Sequence, residues 1–166
     1  MSGLRLERLT RENVRNACSL QLRPDQEGLV APVAWSLADA YVAQDIAWPR
    51  LVYAGDELAG FVMGAFDAQN PSDLYHAYLW RLNISADHQR AGAGRFAVVA
   101  FCTEAHRRGY DRVTVSYHAG RNGPEGFYQR LGFRPTGAMN HDEVVAECLL
   151  GAGGALPGPA VPGPAS

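Results

Sequence analysis

The longest helical pattern in the chain, Gly92 to Arg108, opens on a bend of small residues, Gln89-Arg-Ala-Gly92-Ala-Gly94-Arg95. That bend directly follows an aromatic-rich, β-prone run from Tyr75 to Ile84. Glycines lack Cβ and let the backbone curl closely around a bound group. The first-turn N–H groups of a helix have no internal partners, and the helix dipole adds positive potential there. The segment therefore reads as an anion cradle suited to phosphate, with Arg90 and Arg95 adding full charges. Two glycines at a helix start also serve simply as a tight turn, so the surroundings must decide between the two uses.

Those surroundings predict an α+β fold. Leu4 to Leu9 alternates like a half-buried strand, and Thr10 to Glu12 start a helix through Val14, Ala17 and Cys18. Gln21 to Trp35 is irregular, with Pro24, Gly28 and Pro32, before Ser36-Leu-Ala-Asp39 offers an N-cap for a short helix to about Gln44. Pro49 separates this helix from Arg50–Ala54 and Leu58–Phe66, two β-rich runs around the hairpin turn Gly55-Asp56. With Tyr75–Ile84 they predict an antiparallel meander. After the long helix, Gly109 is placed to end it in the left-handed conformation, followed by a strand at Arg112–Ser116, a helix at Pro124–Leu131 and a last strand at Val144–Leu150. The strand-helix-strand crossover makes two strands parallel, so the sheet is mixed. Residues 151–166 are rich in Gly, Pro and Ala and carry no charge, so they are expected to be disordered, leaving residues 1–150 as the folded domain.

A length of 166 residues suits one domain. The net charge of -2 offers no long-range attraction to nucleic acid or to an anionic membrane, so the expected partner is a small molecule. The start of the chain mixes charges where a signal peptide would need an apolar run, and the apolar stretch Phe96–Cys102 is far short of the ~20 residues that span a bilayer. Cys18, Cys102 and Cys148 are odd in number and form no CxxC, which fits a reducing, cytoplasmic location. His76, His88, His106, His118 and His141 show no clustered ligand spacing, and no metal is expected.

Gly92-Ala-Gly94-Arg-Phe-Ala97 also matches the dinucleotide fingerprint G-x-G-x-x-[GA]. That fingerprint needs a tight strand-to-helix turn and an acid at the end of the next strand. Here Ser85-Ala-Asp-His intervene, and the next strand ends at Ser116-Tyr-His118.

A second motif favours a different partner for the cradle. Asn122 is followed by Gly126-Phe-Tyr128-Gln-Arg-Leu131-Gly-Phe133. Together with Gln89, Gly92 and Gly94, which match the acyl-CoA motif Q/R-x-x-G-x-G/A, this N…Y-x-x-L-G-F pattern resembles the GNAT N-acetyltransferase superfamily over about residues 4–150. Gln26-Glu-Gly-Leu-Val-Ala31, Ser36-Leu-Ala-Asp-Ala40, Trp80-Arg-Leu-Asn-Ile84 and Glu143-Val144 are similar to the bacterial diamine and polyamine (spermine/spermidine) acetyltransferase branch. The resemblance implies a central, mostly antiparallel mixed sheet flanked by helices, with a splayed parallel strand pair that admits acetyl-CoA as co-substrate. It implies that Leu82, Asn83 and Ile84 pair with the pantetheine arm. The pyrophosphate would sit on the N–H groups of Arg90, Ala91, Gly92, Ala93, Gly94 and Arg95 next to Gln89. Asn122 would contact the arm or fix its loop, and Tyr128 would reach the thioester sulfur. Dimers are common among relatives, which makes a homodimer the assembly to test.

The implied reaction needs a neutral amine, yet an alkylamine with a pKa near ~10.4 is mostly protonated at neutral pH. A carboxylate working through water is the expected base, and Glu143 and Glu27 are the candidates. A strand N–H near Leu82 would serve the developing negative charge, and Tyr128 would protonate the leaving thiolate. Asp25, Glu27, Asp39 and Asp45 would attract a polycation, while Trp35, Tyr41, Trp48, Tyr75, Tyr78 and Trp80 either stack on an alkylammonium chain or build core. The acceptor is then a primary amine of a small molecule, a polyamine or diamine or else an aminoglycoside, amino acid or peptide N-terminus. A non-catalytic acyl-CoA-binding domain is the alternative.

Overall fold

The computed structural model describes residues 3–159, and in it period-two patterning and turn chemistry resolve into seven strands and four α-helices among those residues. In chain order they are β1 (Leu4–Glu7), α1 (Val14–Cys18), α2 (Val33–Val42), β2 (Ala47–Ala54), β3 (Glu57–Phe66), β4 (Ala77–Ile84), α3 (Ala93–Arg107), β5 (Arg112–Tyr117), α4 (Glu125–Leu131), β6 (Arg134–Asn140) and β7 (Glu143–Leu149). The strands form one sheet in the order β1-β2-β3-β4-β5-β7-β6. Every neighbouring pair is antiparallel except β4 and β5. This is the expected mixed α+β sheet, and it is not the parallel doubly wound sheet that a dinucleotide fingerprint requires.

Each sheet face is sealed by its own apolar cluster. On one face Phe101, Val98 and Ala97 of α3, with Tyr128 and Leu131 of α4, pack on Val52, Val62, Phe66, Leu79, Val113 and Ala146. On the other, Ala17 of α1 and Val33 and Ala40 of α2 cover Leu51, Phe61 and Met63. Burying a Phe or Leu completely stabilises by roughly 1.5–3 kcal/mol, so β3, buried from Ala59 to Phe66, is the strand whose apolar side chains anchor both layers. Ala54 pairs with Glu57, so Gly55-Asp56 forms the expected two-residue turn, and Gly109 sits at φ +94° just past α3.

Four local expectations change. α2 begins at Val33, directly after Pro32, and Ser36 is fully buried within it instead of capping it. Proline at the mouth of a helix loses no intrahelical bond, so it outcompeted serine as the starting residue. Pro49 lies inside β2 and does not precede it. β1 pairs with β2 only from Leu51 onward, so no strand is there to miss the proline's N–H. β6 is an additional edge strand, hidden in the sequence by Pro135 and Gly137 and carrying a register break between Pro135 and Met139. Finally, the first part of the Gly/Pro-rich tail packs on the domain. Gly154 is buried against the Cys102 carbonyl, and Leu156 adjoins the α3 cluster. Residues 160–166, also expected to be disordered, lie outside the described residues.

Candidate active site

β4 and β5 pair only through Tyr78 with Thr114 and Leu79 with Val115. Beyond that point the two strands separate, so backbone groups of β4 that face β5 lose a strand partner and open a cleft. β4 also carries an irregularity against β3, where Met63 faces Arg81 and Gly64 faces Leu79, leaving Trp80 as the extra residue. A bulge of this kind bends its strand and increases its twist. The resulting cleft, of about 1280 Å³, runs from the start of α3 past β4 and β5 to Glu143.

The start of α3 forms the cleft's basic end. Gly92 caps the helix at φ +84°, ψ 0°, the left-handed region that costs an L residue roughly 1–2 kcal/mol. Gly94 is closely packed: a Cβ there would lie 3.3 Å from the Phe127 ring, which would have to give by a few tenths of an ångström. Arg90 holds φ +64° without being glycine, a strained conformation of the kind that clusters at ligand sites. The amide of Phe96 is bonded to the Gly92 carbonyl, so the N–H groups of Ala93, Gly94 and Arg95 fall in the unpaired first turn. Gln89 braces the bend, its Nε2 donating to the Ile84 carbonyl at 3.1 Å and to Gln26 Oε1. Gln89, Arg90, Gly92, Gly94 and Arg95 line the cleft, while Ala91 and Ala93 lie outside its lining: the Ala91 N–H is bonded to the His88 carbonyl at 3.4 Å, and Ala93 is buried. Leu82, Ile84 and Asn122 also line it. Asn83 faces away. Its side chain is buried, and Nδ2 donates to the Ala31 carbonyl at 3.1 Å, tying β4 to the loop before α2.

Aromatic and acidic groups gather at the opposite end. Tyr128 on α4 stacks on Tyr117 with ring centres 5.7 Å apart and meets Phe127 and Phe133 edge-on. Burial, reinforced by the neighbouring Tyr78 and Tyr117 phenols, pushes its hydroxyl well above the usual phenol range, so it stays protonated. Tyr117 Oη is buried without a hydrogen-bond partner, an unspent polar group on a residue that lines the cleft. The β5–β7 register sets Tyr117 opposite Val144, and Ser116 Oγ donates to Glu143 Oε2 at 2.7 Å. Tyr78 Oη lies 2.5 Å from the same Ser116 oxygen, and His118 Nε2 is 3.6 Å from Glu143 Oε1. Of the two carboxylates proposed from sequence, Glu143 lines the cleft. Glu27 is exposed and lies outside the lining. Tyr78, Ser116 and His118 were not sequence candidates for proton transfer; the only signal for them was their place at or just past the paired segment of β4 and β5.

The acceptor wall differs from the acidic surface expected. Asp25 lines the cleft and is paired with Arg23 at 2.9 Å, while Asp39, paired with Arg81 at 3.5 Å, and the exposed Asp45 lie outside the lining. Trp48 is core, while Trp35 and Tyr41 are largely exposed on α2. Among the described residues no cluster of three or more His, Cys, Asp or Glu side chains could hold a metal, and no helix is long and apolar enough to cross a membrane.

An open-sheet α+β protein whose parallel pair splays beside a helix-mouth anion cradle has the architecture of an acyl-CoA-dependent acyltransferase. The family described as Acetyltransferase (GNAT) matches residues 16–133, and the chain belongs to it. No curated protein matches the chain in sequence. Similar solved structures include a GNAT-family acetyltransferase from Desulfovibrio desulfuricans, at 14% identity and TM-score 0.69 over 89% of this chain and 99% of that one. An acetyltransferase from Thermus thermophilus reaches 21% identity and TM-score 0.65 over 89% and 97%. The PaiA N-acetyltransferase of Thermoplasma acidophilum, solved with coenzyme A, reaches 14% and 0.66 over 87% and 98%.

Proposed function

We propose that this chain transfers the acetyl group of acetyl-CoA to a primary amine of a small molecule, with Tyr128 as acid and Glu143 as the base that finally holds the amine's proton. The observation that carries this reading is one continuous cleft with unpaired helix amides and arginines at one end and Tyr128 and Glu143 at the other. Arg90 and Arg95 flank those amides, a donor set that fits a diphosphate, and the unpartnered Tyr117 hydroxyl offers a further polar contact along the cleft. When bound, acetyl-CoA supplies the activated thioester. The β4 backbone at Leu82 presents polar groups where negative charge develops on the thioester oxygen. Tyr128, kept protonated by burial, gives its proton to the departing sulfur, a transfer that runs uphill for a phenol because a thiol's ordinary pKa is near ~8.5 and that serves to trap the thiolate as it leaves. Neutralising the ammonium is the costlier need: at neutral pH a primary amine is protonated by a factor worth roughly 4–5 kcal/mol.

A diamine or polyamine is the finer acceptor proposal. The motif resemblance supports it, and Asp25 at the wall is an acid that an ammonium group can share with Arg23. The pairing of Asp25 and Asp39 with arginines equally suits an acceptor whose amine neighbours an anion, such as an amino acid or a peptide N-terminus. The same proposal places the protein in the cytoplasm and makes a homodimer the assembly to seek by sedimentation. Release of CoA with spermidine, putrescine, glycine, a short peptide and kanamycin tests the reaction and ranks the acceptors. Tight acetyl-CoA binding with no turnover of any of them would make the chain a non-catalytic acyl-CoA-binding domain.

A further inference from the structure

The hydrogen bonds between Tyr78 and Glu143 can run in only one direction. A carboxylate only accepts, so the single hydrogen of Ser116 Oγ is committed to Glu143 Oε2 at 2.7 Å. At the 2.5 Å contact with Tyr78, Ser116 must therefore accept and the Tyr78 phenol must donate. The free lone pairs of this chain of groups then sit on Tyr78 Oη, and Tyr78 lines the cleft at the point where β4 and β5 begin to separate. Glu143 itself is occupied: Oε2 receives Ser116, and Oε1 faces the His118 ring at 3.6 Å. β4 offers no carboxylate of its own, since its side chains read Ala-Tyr-Leu-Trp-Arg-Leu-Asn-Ile.

We propose that Tyr78 is the residue that takes the proton from the acceptor's ammonium group, with Ser116 relaying charge to Glu143. This rests on the acetyl-transfer reading above and deepens it. An N–H bond of the ammonium breaks as an O–H bond forms on Tyr78. The original Tyr78 hydrogen moves to Ser116, and the original Ser116 hydrogen moves to Glu143. One proton has then left nitrogen for a carboxylate, both hydroxyls are again neutral, and the amine has its lone pair. His118, its side chain 42% exposed and also 3.5 Å from Asp142, carries the proton from Glu143 to solvent.

The groups facing Tyr78 keep it a relay and prevent it from becoming a phenolate. Burial raises its pKa, the Ser116 bond opposes that rise, Glu143 on β7 reinforces it, Arg81 on β4 opposes it, and Tyr75 before β4 adds the least. Tyr128 on α4 is the other phenol in range. Two tyrosines at one fork thus serve opposite proton transfers, Tyr78 on the amine side and Tyr128 on the sulfur side.

A plain structural role for the Tyr78–Ser116–Glu143 chain, tying β4 to β5 and β7, would show in melting temperature and not in pH dependence. The test compares Tyr78→Phe, Ser116→Ala, Ser116→Thr and Glu143→Gln, using the fastest amine of the panel, up to and beyond that amine's own pKa. Expected for Tyr78→Phe and Ser116→Ala is a loss of about a hundredfold in kcat/KM for the amine at neutral pH. The loss should shrink tenfold per pH unit as the amine deprotonates unaided, with KM for acetyl-CoA unmoved. Ser116→Thr, which keeps a hydroxyl, should restore most of the rate, and this rescue still reports if Tyr78→Phe fails to fold. Wild-type rate and pH profile in Tyr78→Phe, alongside a defective Glu143→Gln, would overturn the role of Tyr78 and leave acetyl transfer standing. Silence of the wild type with every panel amine would instead overturn the reaction itself.

Discussion

The two ends of the cleft are built from different materials. At the mouth of α3 the proposed binding groups are main-chain amides of a first turn that Gly92 opens in the left-handed region. At the far end the groups proposed to do the chemistry are side chains from four separate elements: Tyr78 on β4, Ser116 on β5, Tyr128 on α4 and Glu143 on β7. A site made of backbone tolerates most side-chain changes but not a change in φ. A site made of hydroxyls keeps its shape when a hydroxyl is lost, and loses its chemistry.

That contrast predicts effects of different kinds and sizes. The largest should come from Tyr128→Phe, which keeps the ring stacked on Tyr117 and set edge-on against Phe127 and Phe133 while removing the proton. Turnover should fall by about 10²–10³-fold, with acetyl-CoA affinity by calorimetry and melting temperature nearly unchanged. Undiminished turnover would mean that water protonates the sulfur. Gly92→Val should do the reverse. Holding valine at φ +84° costs roughly 1–2 kcal/mol, and relaxing that strain turns the amides away, so acetyl-CoA affinity should drop about tenfold while the maximal rate changes little. An equal loss of maximal rate would show that the two ends are coupled.

The smallest effect should come from Glu104, near the last turn of the helix whose first turn forms the cradle. The Arg107 and Arg108 guanidiniums bond its carboxylate at 2.7–2.9 Å and hold its pKa at about 2. Because that value lies below the unfolded one, near ~4.3, its contribution is present in full above that pH and is lost as pH falls toward 2. Glu104→Gln should therefore lower thermal stability modestly at neutral pH, flatten its decline in acid, and leave acetyl-CoA binding and turnover alone. A shift in cofactor affinity would break the separation between the helix's two ends.

Much of the fold was readable because its signals are local. Gly55-Asp56 specified its hairpin, the apolar alternation specified the arms, and Gly109 marked the end of α3. The glycine-opened mouth of α3 was readable for the same reason, since seven consecutive residues carry it. β6 was missed because Pro135 and Gly137 interrupt its pattern, and only the neighbouring β7 makes a strand of it. The order in residues 151–158 depends on surfaces supplied from elsewhere: Gly154 sits against Cys102, and Pro157 against Gly132. The hydroxyl chain was invisible because Tyr78 and Ser116 stand 38 residues apart, and Ser116 and Glu143 stand 27 apart. Asp39 was readable as a residue but not as a paired charge, because Arg81 becomes its neighbour only in the folded chain, whereas Arg23 stands two residues from Asp25.

What the amino-acid order determined alone is the conformational part of this protein: where the backbone turns, where a helix starts with bare amides, and which stretches alternate. Those properties depend on steric limits within a few residues. What only the tertiary structure decided is which side chains share a hydrogen bond, which charges cancel, and which of two glutamates faces the cleft. Those depend on sheet register, where a shift of a single residue would send Ser116 to the opposite face and sever its contact with Glu143.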